Sequence, residues 1–118
     1  MEIPAAVETL SALAHGPRLT IFRMLVAEGP SGLPAGEIAR RIGTPANTLS
    51  ANLNVLSHAG LVASRRDGRS IVYSADYERM SALLSYLMED CCGGAPEVCA
   101  PVAEVLQRTA CCQAAPLA

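Results

Sequence analysis

A mainly helical domain carrying one two-stranded β-hairpin is the fold class this sequence predicts. Three observations predict it. Apolar residues recur at helical spacing in five separate stretches, Gly and Pro punctuate the gaps, and one Asp67-Gly68 step separates two short extended runs. The chain has 118 residues, enough for one modest core. Apolar residues make up 51% of it, mostly Ala, Leu and Val, with no Trp and a single Phe. A core of small side chains buries little area per residue, so burial across a dimer interface is expected.

The first helix, over 5–15, rests on Val7, Leu10, Leu13 and Ala14 at helical spacing. Gly16-Pro17 breaks it, and Pro17 suits the first position of a second helix over 17–28. There Leu19, Ile21, Phe22, Leu25 and Val26 predict burial on most of the surface. After the loop Gly29–Gly32 comes a shorter helix, about 34–42, with Ile38, Ala39 and Ile42 inward and Arg40 and Arg41 outward. Gly43 is its natural stop. Thr44-Pro45 then reads as a capping hydroxyl followed by proline at the first helical position. The helix it starts, 45–59, has Leu49, Leu53 and Leu56 as its apolar line and small polar residues opposite. Gly60 ends it. The runs 61–66 and 70–75 form the hairpin. Ser74 or Asp76 caps a last clear helix over 76–90, with Met80, Leu83, Leu84, Leu87 and Met88 apolar. A short helix over 101–112 is weakly marked.

Net charge is −2, which by itself argues against a nucleic-acid partner. The distribution argues for one. Residues 40–72 carry Arg40, Arg41, Arg65, Arg66 and Arg69 against Asp67 alone, while both flanks are acidic. Phosphate binding answers to a local patch and not to the total. Helix, tight turn, helix and Arg-tipped hairpin make a winged helix-turn-helix. Its recognition helix needs short polar side chains so that the backbone approaches base edges, and Asn47, Thr48, Ser50 and Asn52 supply them, with the small Ala51 on the same DNA-facing surface. Arg40 and Arg41 are placed to cross the phosphates, and Arg65, Arg66 and Arg69 to meet the backbone or minor groove from the wing. The partner expected is double-stranded operator DNA.

All five cysteines fall after residue 90: Cys91, Cys92, Cys99, Cys111 and Cys112. Packing cysteines scatter along a chain, whereas these bunch on Gly- and Pro-containing sequence, EDCCGGAPEVCAP. Crowded thiols of this kind point to a soft ion or a redox event. The spacings contain no CxxC pair of the type zinc prefers. His58, near a helix C-terminus, reads as a dipole partner or surface residue and not as a ligand. The organisation expected is a DNA-binding and dimerisation domain over 1–90 and a cysteine-rich segment over 91–118.

The stretches LSALAHGPRLTIFRML and GEIARRIGTPANTLSANLNVLSHAGLVASRRDGRSIVYS closely resemble the ArsR family of bacterial metal-responsive repressors, over about residues 8–75. The resemblance implies a homodimer paired through its first and last helices, with 45–59 as recognition helix and 65–70 as wing. Many arsenic- and cadmium-sensing members carry cysteines in the helix before the recognition helix. Here that region reads GLPAGEIARR and holds none. YLMEDCCGGAPEVCA is instead similar to a subgroup of arsenite sensors whose three thiolates follow the last helix, which carries over Cys91, Cys92 and Cys99. Arsenite is then the inducer, antimonite too by the same chemistry, with no organic cofactor. Cys111 and Cys112 offer a fourth ligand, a second dithiol site, a relay or no role at all.

A thiol-redox repressor, or a zinc- or cadmium-responsive one, is the alternative on the same fold. Enzyme chemistry is not expected. No cysteine has Arg six positions on, as an arsenate reductase of the low-molecular-weight-phosphatase type requires, and no nucleophilic triad or carboxylate pair stands out. The N-terminus lacks a basic segment followed by an apolar run, and no apolar stretch approaches a membrane span, so a cytoplasmic protein without a membrane partner is expected. Reduced thiols in that compartment favour metal or redox chemistry over structural disulfides.

Overall fold

The structure, a computed structural model, describes residues 1–89 and residue 101. The five cysteines lie outside the described residues, as does the helix expected over 101–112 apart from its first residue. The chain divides into two compact units, Met1–Tyr86 and Leu87–Ala118. The elements run α1 (Ile3–Leu13), α2 (Gly16–Glu28), β1 (Leu33–Pro34), α3 (Ala35–Ile42), α4 (Ala46–His58), β2 (Val62–Asp67), β3 (Ser70–Ala75) and α5 (Tyr77–Met88). This is the expected winged helix-turn-helix: mainly helical with one small antiparallel sheet.

The hairpin pairs Val62 with Ala75 and Asp67 with Ser70, leaving Gly68 and Arg69 as a two-residue loop. Gly68 takes φ 65°, the left-handed conformation such a loop demands. The sheet has a third strand that the sequence did not signal. Leu33 and Pro34 pair with Tyr73 and Val72, so the order is β1-β3-β2. Two residues are too few for periodicity to register. Pro34 is tolerated because it lies on an edge strand.

One core cluster unites the helices and sheet. Ile21, Phe22 and Leu25 of α2, Ile38 of α3, Leu49, Leu53 and Leu56 of α4, and Leu33, Leu61, Val62 and Ala75 around the sheet are all buried in it. The apolar residues of α1 divide differently from their expected stripe. Ala6, Thr9 and Ala12 are buried, while Ile3, Val7 and Leu10 face outward. Small residues let α1 lie close to its neighbours, and the larger ones at i, i+4 and i+7 form a second, outer face. Leu19 of α2, expected to be buried, is likewise exposed, and so are Leu84 and Leu87 of α5. Helix α5 is fixed at its start: Asp76 Oδ1 accepts from the Arg79 N–H at 3.0 Å, and the Tyr77 hydroxyl donates to the Val26 carbonyl at 3.0 Å. Of the two caps expected for this helix, Asp76 is the one used. No helix among the described residues is long and apolar enough to cross a membrane.

Leu56 has no exposed surface. Leu56→Ala should therefore cost about 2–5 kcal/mol through lost burial and the cavity left behind. Thermal denaturation should show this as a fall of roughly 10 °C or more. A fall of under about 3 °C would mean that α4 is not held by this face.

Candidate nucleic-acid interface

Helices α3 and α4 are joined by a turn that starts at Gly43, whose φ of 75° is open to glycine at little cost and whose N–H donates to the Ala39 carbonyl at 2.8 Å. The start of α4 differs from the expected cap. Pro45, not Thr44, is the residue flanking the helix, and no side chain caps it. Pro45 holds extended ψ while its carbonyl accepts the first helical bond, from the Leu49 N–H at 3.0 Å. That displaces Thr44 by one residue from the first-turn amides. Asn47 Oδ1 instead takes up the Thr48 N–H at 2.9 Å.

The leucine face of α4 is in the core, so the opposite face is solvent-exposed and carries Asn47, Thr48, Ser50 and Ala51, with Asn54 beyond them. Asn52 corrects the sequence expectation. At 100° per residue it falls about 40° beyond Leu56, at the edge of the leucine arc and not within it. It is 7% exposed, and its Oδ1 accepts a bond of 3.5 Å from Arg18 Nη1. This side chain is turned into the protein and does not reach a base edge.

The arginines fall into two groups. Arg40 and Arg41 converge on Glu37, one turn earlier in α3. Arg40 Nε donates to Oε1 at 3.0 Å and its Nη2 closes a second bond to Oε2, while Arg41 Nε donates to Oε2 at 2.7 Å. Arg41 also lies 3.5 Å from Glu28. Hydrogen bonds from Arg40, then from Arg41, hold the Glu37 carboxyl at about 2, well below the usual carboxylate range, and raise both guanidinium groups in turn. Arg40 is 70% exposed, so water and salt weaken these pairs and a phosphate can compete for them.

On the wing, Arg65 Nη2 donates to the Ser31 carbonyl at 2.8 Å, which ties the hairpin to the loop before β1. Among the described residues Arg66 and Arg69 enter no ion pair, and both are exposed. Arg69 borders a groove of about 370 Å³ with Gly36, Ser50, Ser70 and Tyr73. The groove lies between the start of α3, the outer side of α4 and the wing tip, and its lining suits an anionic oxygen.

Gly36 and Tyr73 were absent from the sequence expectation, because no motif links residues so far apart. Arg18 was also missed. A signal existed: a cation in the first turn of α2 opposes that helix's own dipole and calls for another partner. His58 Nδ1 meets the Asn54 carbonyl at 2.9 Å, within its own helix. No group of three His, Cys, Asp or Glu that could hold a metal occurs among the described residues. Cys91, Cys92, Cys99, Cys111 and Cys112 lie outside them.

Comparison with known proteins agrees with this geometry. The family described as a helix-turn-helix domain matches residues 13–65. The chain is 36% identical over 87 residues to the HTH-type transcriptional regulator YgaV of Escherichia coli, covering 74% of this chain and 86% of that one. Among solved structures it resembles the homodimeric winged helix-turn-helix DNA-binding domain of Mb0332 from Mycobacterium bovis, a possible ArsR-family regulator. That match has 32% identity and a TM-score of 0.60, over 74% of this chain and 81% of that one. An ArsR-like regulator from Rhodococcus sp. RHA1 shares the fold at a TM-score of 0.65 and 24% identity, over 90% and 93% of the two chains.

Two outcomes follow from the arginine geometry. Glu37 keeps its ion pairs above its unfolded value of 4.5 and loses them as pH falls through about 2. The Glu37 carboxyl, followed by NMR, should therefore titrate well below 4.5 in the wild type and move back toward it in Arg40→Ala plus Arg41→Ala, and an unshifted titration would count against the pairing. Arg69→Ala should weaken DNA binding and lower the slope of log affinity against log salt by about 1, measured by fluorescence anisotropy. An unchanged slope would show that the wing tip does not meet phosphate.

Proposed function

The chain belongs to the ArsR-type family of helix-turn-helix transcriptional regulators, and from that premise we propose that it is an arsenite-responsive repressor, bound to its operator as a homodimer and released by the metalloid. The observation that carries the inducer is the set Cys91, Cys92 and Cys99, placed directly after α5 in a chain with no cysteine before it. Trivalent arsenic is soft and takes three thiolates in a pyramid. Three cysteine thiols and arsenous acid exchange three S–H and three As–OH bonds for three As–S bonds and three waters, with no change of oxidation state. Gly93-Gly94 allows the chain to turn so that Cys99 meets the adjacent pair.

The outer face of α1 (Ile3, Val7, Leu10) and the exposed Leu84 and Leu87 of α5 supply apolar surface for pairing two copies. In such a dimer each recognition helix presents Asn47, Thr48, Ser50 and Ala51 to a major groove, and the two half-sites lie about one helical turn apart. Arg40, Arg41, Arg66 and Arg69 meet phosphate, the first two by exchanging Glu37 for it. Helix α5 is anchored at its start on α2 and leads directly to Cys91, so thiolates drawn together at its far end re-angle the helix between the two copies. A coupling of about 1–3 kcal/mol, the usual allosteric range, lowers operator affinity roughly 5–150-fold.

The test is anisotropy of the reduced full-length protein on the DNA upstream of its own gene, titrated with arsenite. Release should saturate near one equivalent per protomer. Cys91→Ser, Cys92→Ser and Cys99→Ser should each keep DNA affinity within about twofold while abolishing release, since loss of one thiolate leaves arsenic under-coordinated. A variant that still releases normally removes that residue from the ligand set. Tight binding indifferent to arsenite, but lost on adding zinc, cadmium or peroxide, would overturn the arsenite reading and leave the repressor.

A further inference from the structure

Helix α1 ends with four backbone carbonyls that its own helical bonds leave open. The chain closes them one by one. The Ala14 N–H serves Leu10 and Ser11, at 2.9 and 3.2 Å, and the His15 N–H serves Leu13 at 2.8 Å. The remaining carbonyl, Ala12, accepts from Arg18 Nε at 2.6 Å. The last turn of α1 carries no basic residue, so Arg18 supplies the positive charge this helix end favours. The same guanidinium reaches on to Asn52 Oδ1 of α4. One planar group thus joins α1, α2 and α4, and its fork geometry ties the directions of its bonds together.

Both partners run against local preference. Arg18 lies in the first turn of α2, where a cation opposes the dipole, and Asn52 is a buried polar residue at the edge of the apolar arc of α4. A buried polar side chain that sacrifices stability is a known device for fixing register. Residues that break local rules in this way mark function.

We propose that Arg18 is the positioning residue that sets the angle between α1, the dimerisation helix, and α4, the recognition helix, and so writes the separation of the two operator half-sites. This inference rests on the reading of the protein as a dimeric DNA-binding regulator. In a two-fold dimer an angular error in α4 relative to α1 is applied twice, in opposite senses, at the two half-sites. A lone half-site is insensitive to it because the protein can reorient freely.

The experiment compares the full-length wild type with Arg18→Met, which keeps the apolar stem and loses every donor. Each is used to enrich duplexes from a random pool, and each is then titrated onto the enriched full site, the full site with its spacer changed by one base pair in either direction, and a single half-site. The wild type should enrich a two-fold sequence of fixed spacing. Arg18→Met should enrich the same half-site with broadened or shifted spacing. Its affinity for the wild-type full site should fall roughly tenfold, about the effect of one mismatched base pair, with the half-site affinity within about twofold. A purely structural role would lower full-site and half-site binding alike. Unchanged spacing and an unchanged full-to-half ratio overturn the proposal.

Asn52→Leu serves if Arg18→Met is unfolded at the assay temperature, since it removes the acceptor while filling the space with apolar atoms. A wild-type spacing optimum in that variant overturns the proposal equally. A wild type that enriches no two-fold sequence overturns the dimeric regulator itself, which separates the two failures.

Discussion

Burial of the leucine face of α4 is the constraint from which the rest of the structure follows. Leu53 and Leu56 are almost wholly removed from water and Leu49 nearly so, and they meet side chains from α2, α3 and the sheet. A helix has one rotational setting that buries such an arc, so sinking the leucines simultaneously turns Asn47, Ser50 and Ala51 outward. The recognition surface is thus the complement of the core. Its polar side chains need no burial energy of their own, because the opposite face supplies it.

Electrostatics is then arranged upon that frame. In a chain of negative net charge, an attraction for phosphate survives only if the cations gather in one place. They do, but not all on equal terms. Arg40 and Arg41 share Glu37 as an internal counter-ion, while Arg65 is bonded to the Ser31 carbonyl, and Arg66 and Arg69 project from the wing. The exposed pairs on α3 contribute little to folding. Their consequence is for binding: a phosphate arriving there exchanges one partner for another, whereas at Arg69 it meets a guanidinium with no ion pair among the described residues.

The joints between helices give the frame its angles. Arg18 closes the end of α1 and reaches α4, and Tyr77 fastens the start of α5 to the end of α2. At the far end of α4, the Arg79 guanidinium of α5 lies over Gly60, where a Cβ would stand 2.7 Å from it. These contacts connect α1, α2, α4 and α5 through a few polar atoms.

Much of this was legible in the chain. Periodicity located helices α1 to α5 of the described residues to within two residues at each end, Asp67-Gly68 located the hairpin, and the charge distribution located the basic third, because each is a local pattern decided by neighbours in sequence. Strand β1 was not legible, since two residues make a strand only when Val72 and Tyr73 are there to pair with them. Neither was the fate of Asn52. Composition made it one more short polar residue on a recognition helix, and only the rotational setting of α4 and the approach of Arg18 put it inside. The outward turn of Val7 and Leu10 was hidden for the same reason: an apolar stripe announces that something will cover it, not whether the cover comes from the same chain. The sequence by itself determined which segments are helices, where they stop and where the charge lies, because capping, turn chemistry and spacing act over a few residues. Tertiary structure alone decided which face each helix buries and which distant groups Arg18, Arg65 and Tyr77 reach, because those outcomes depend on groups brought together from 34 or more residues apart.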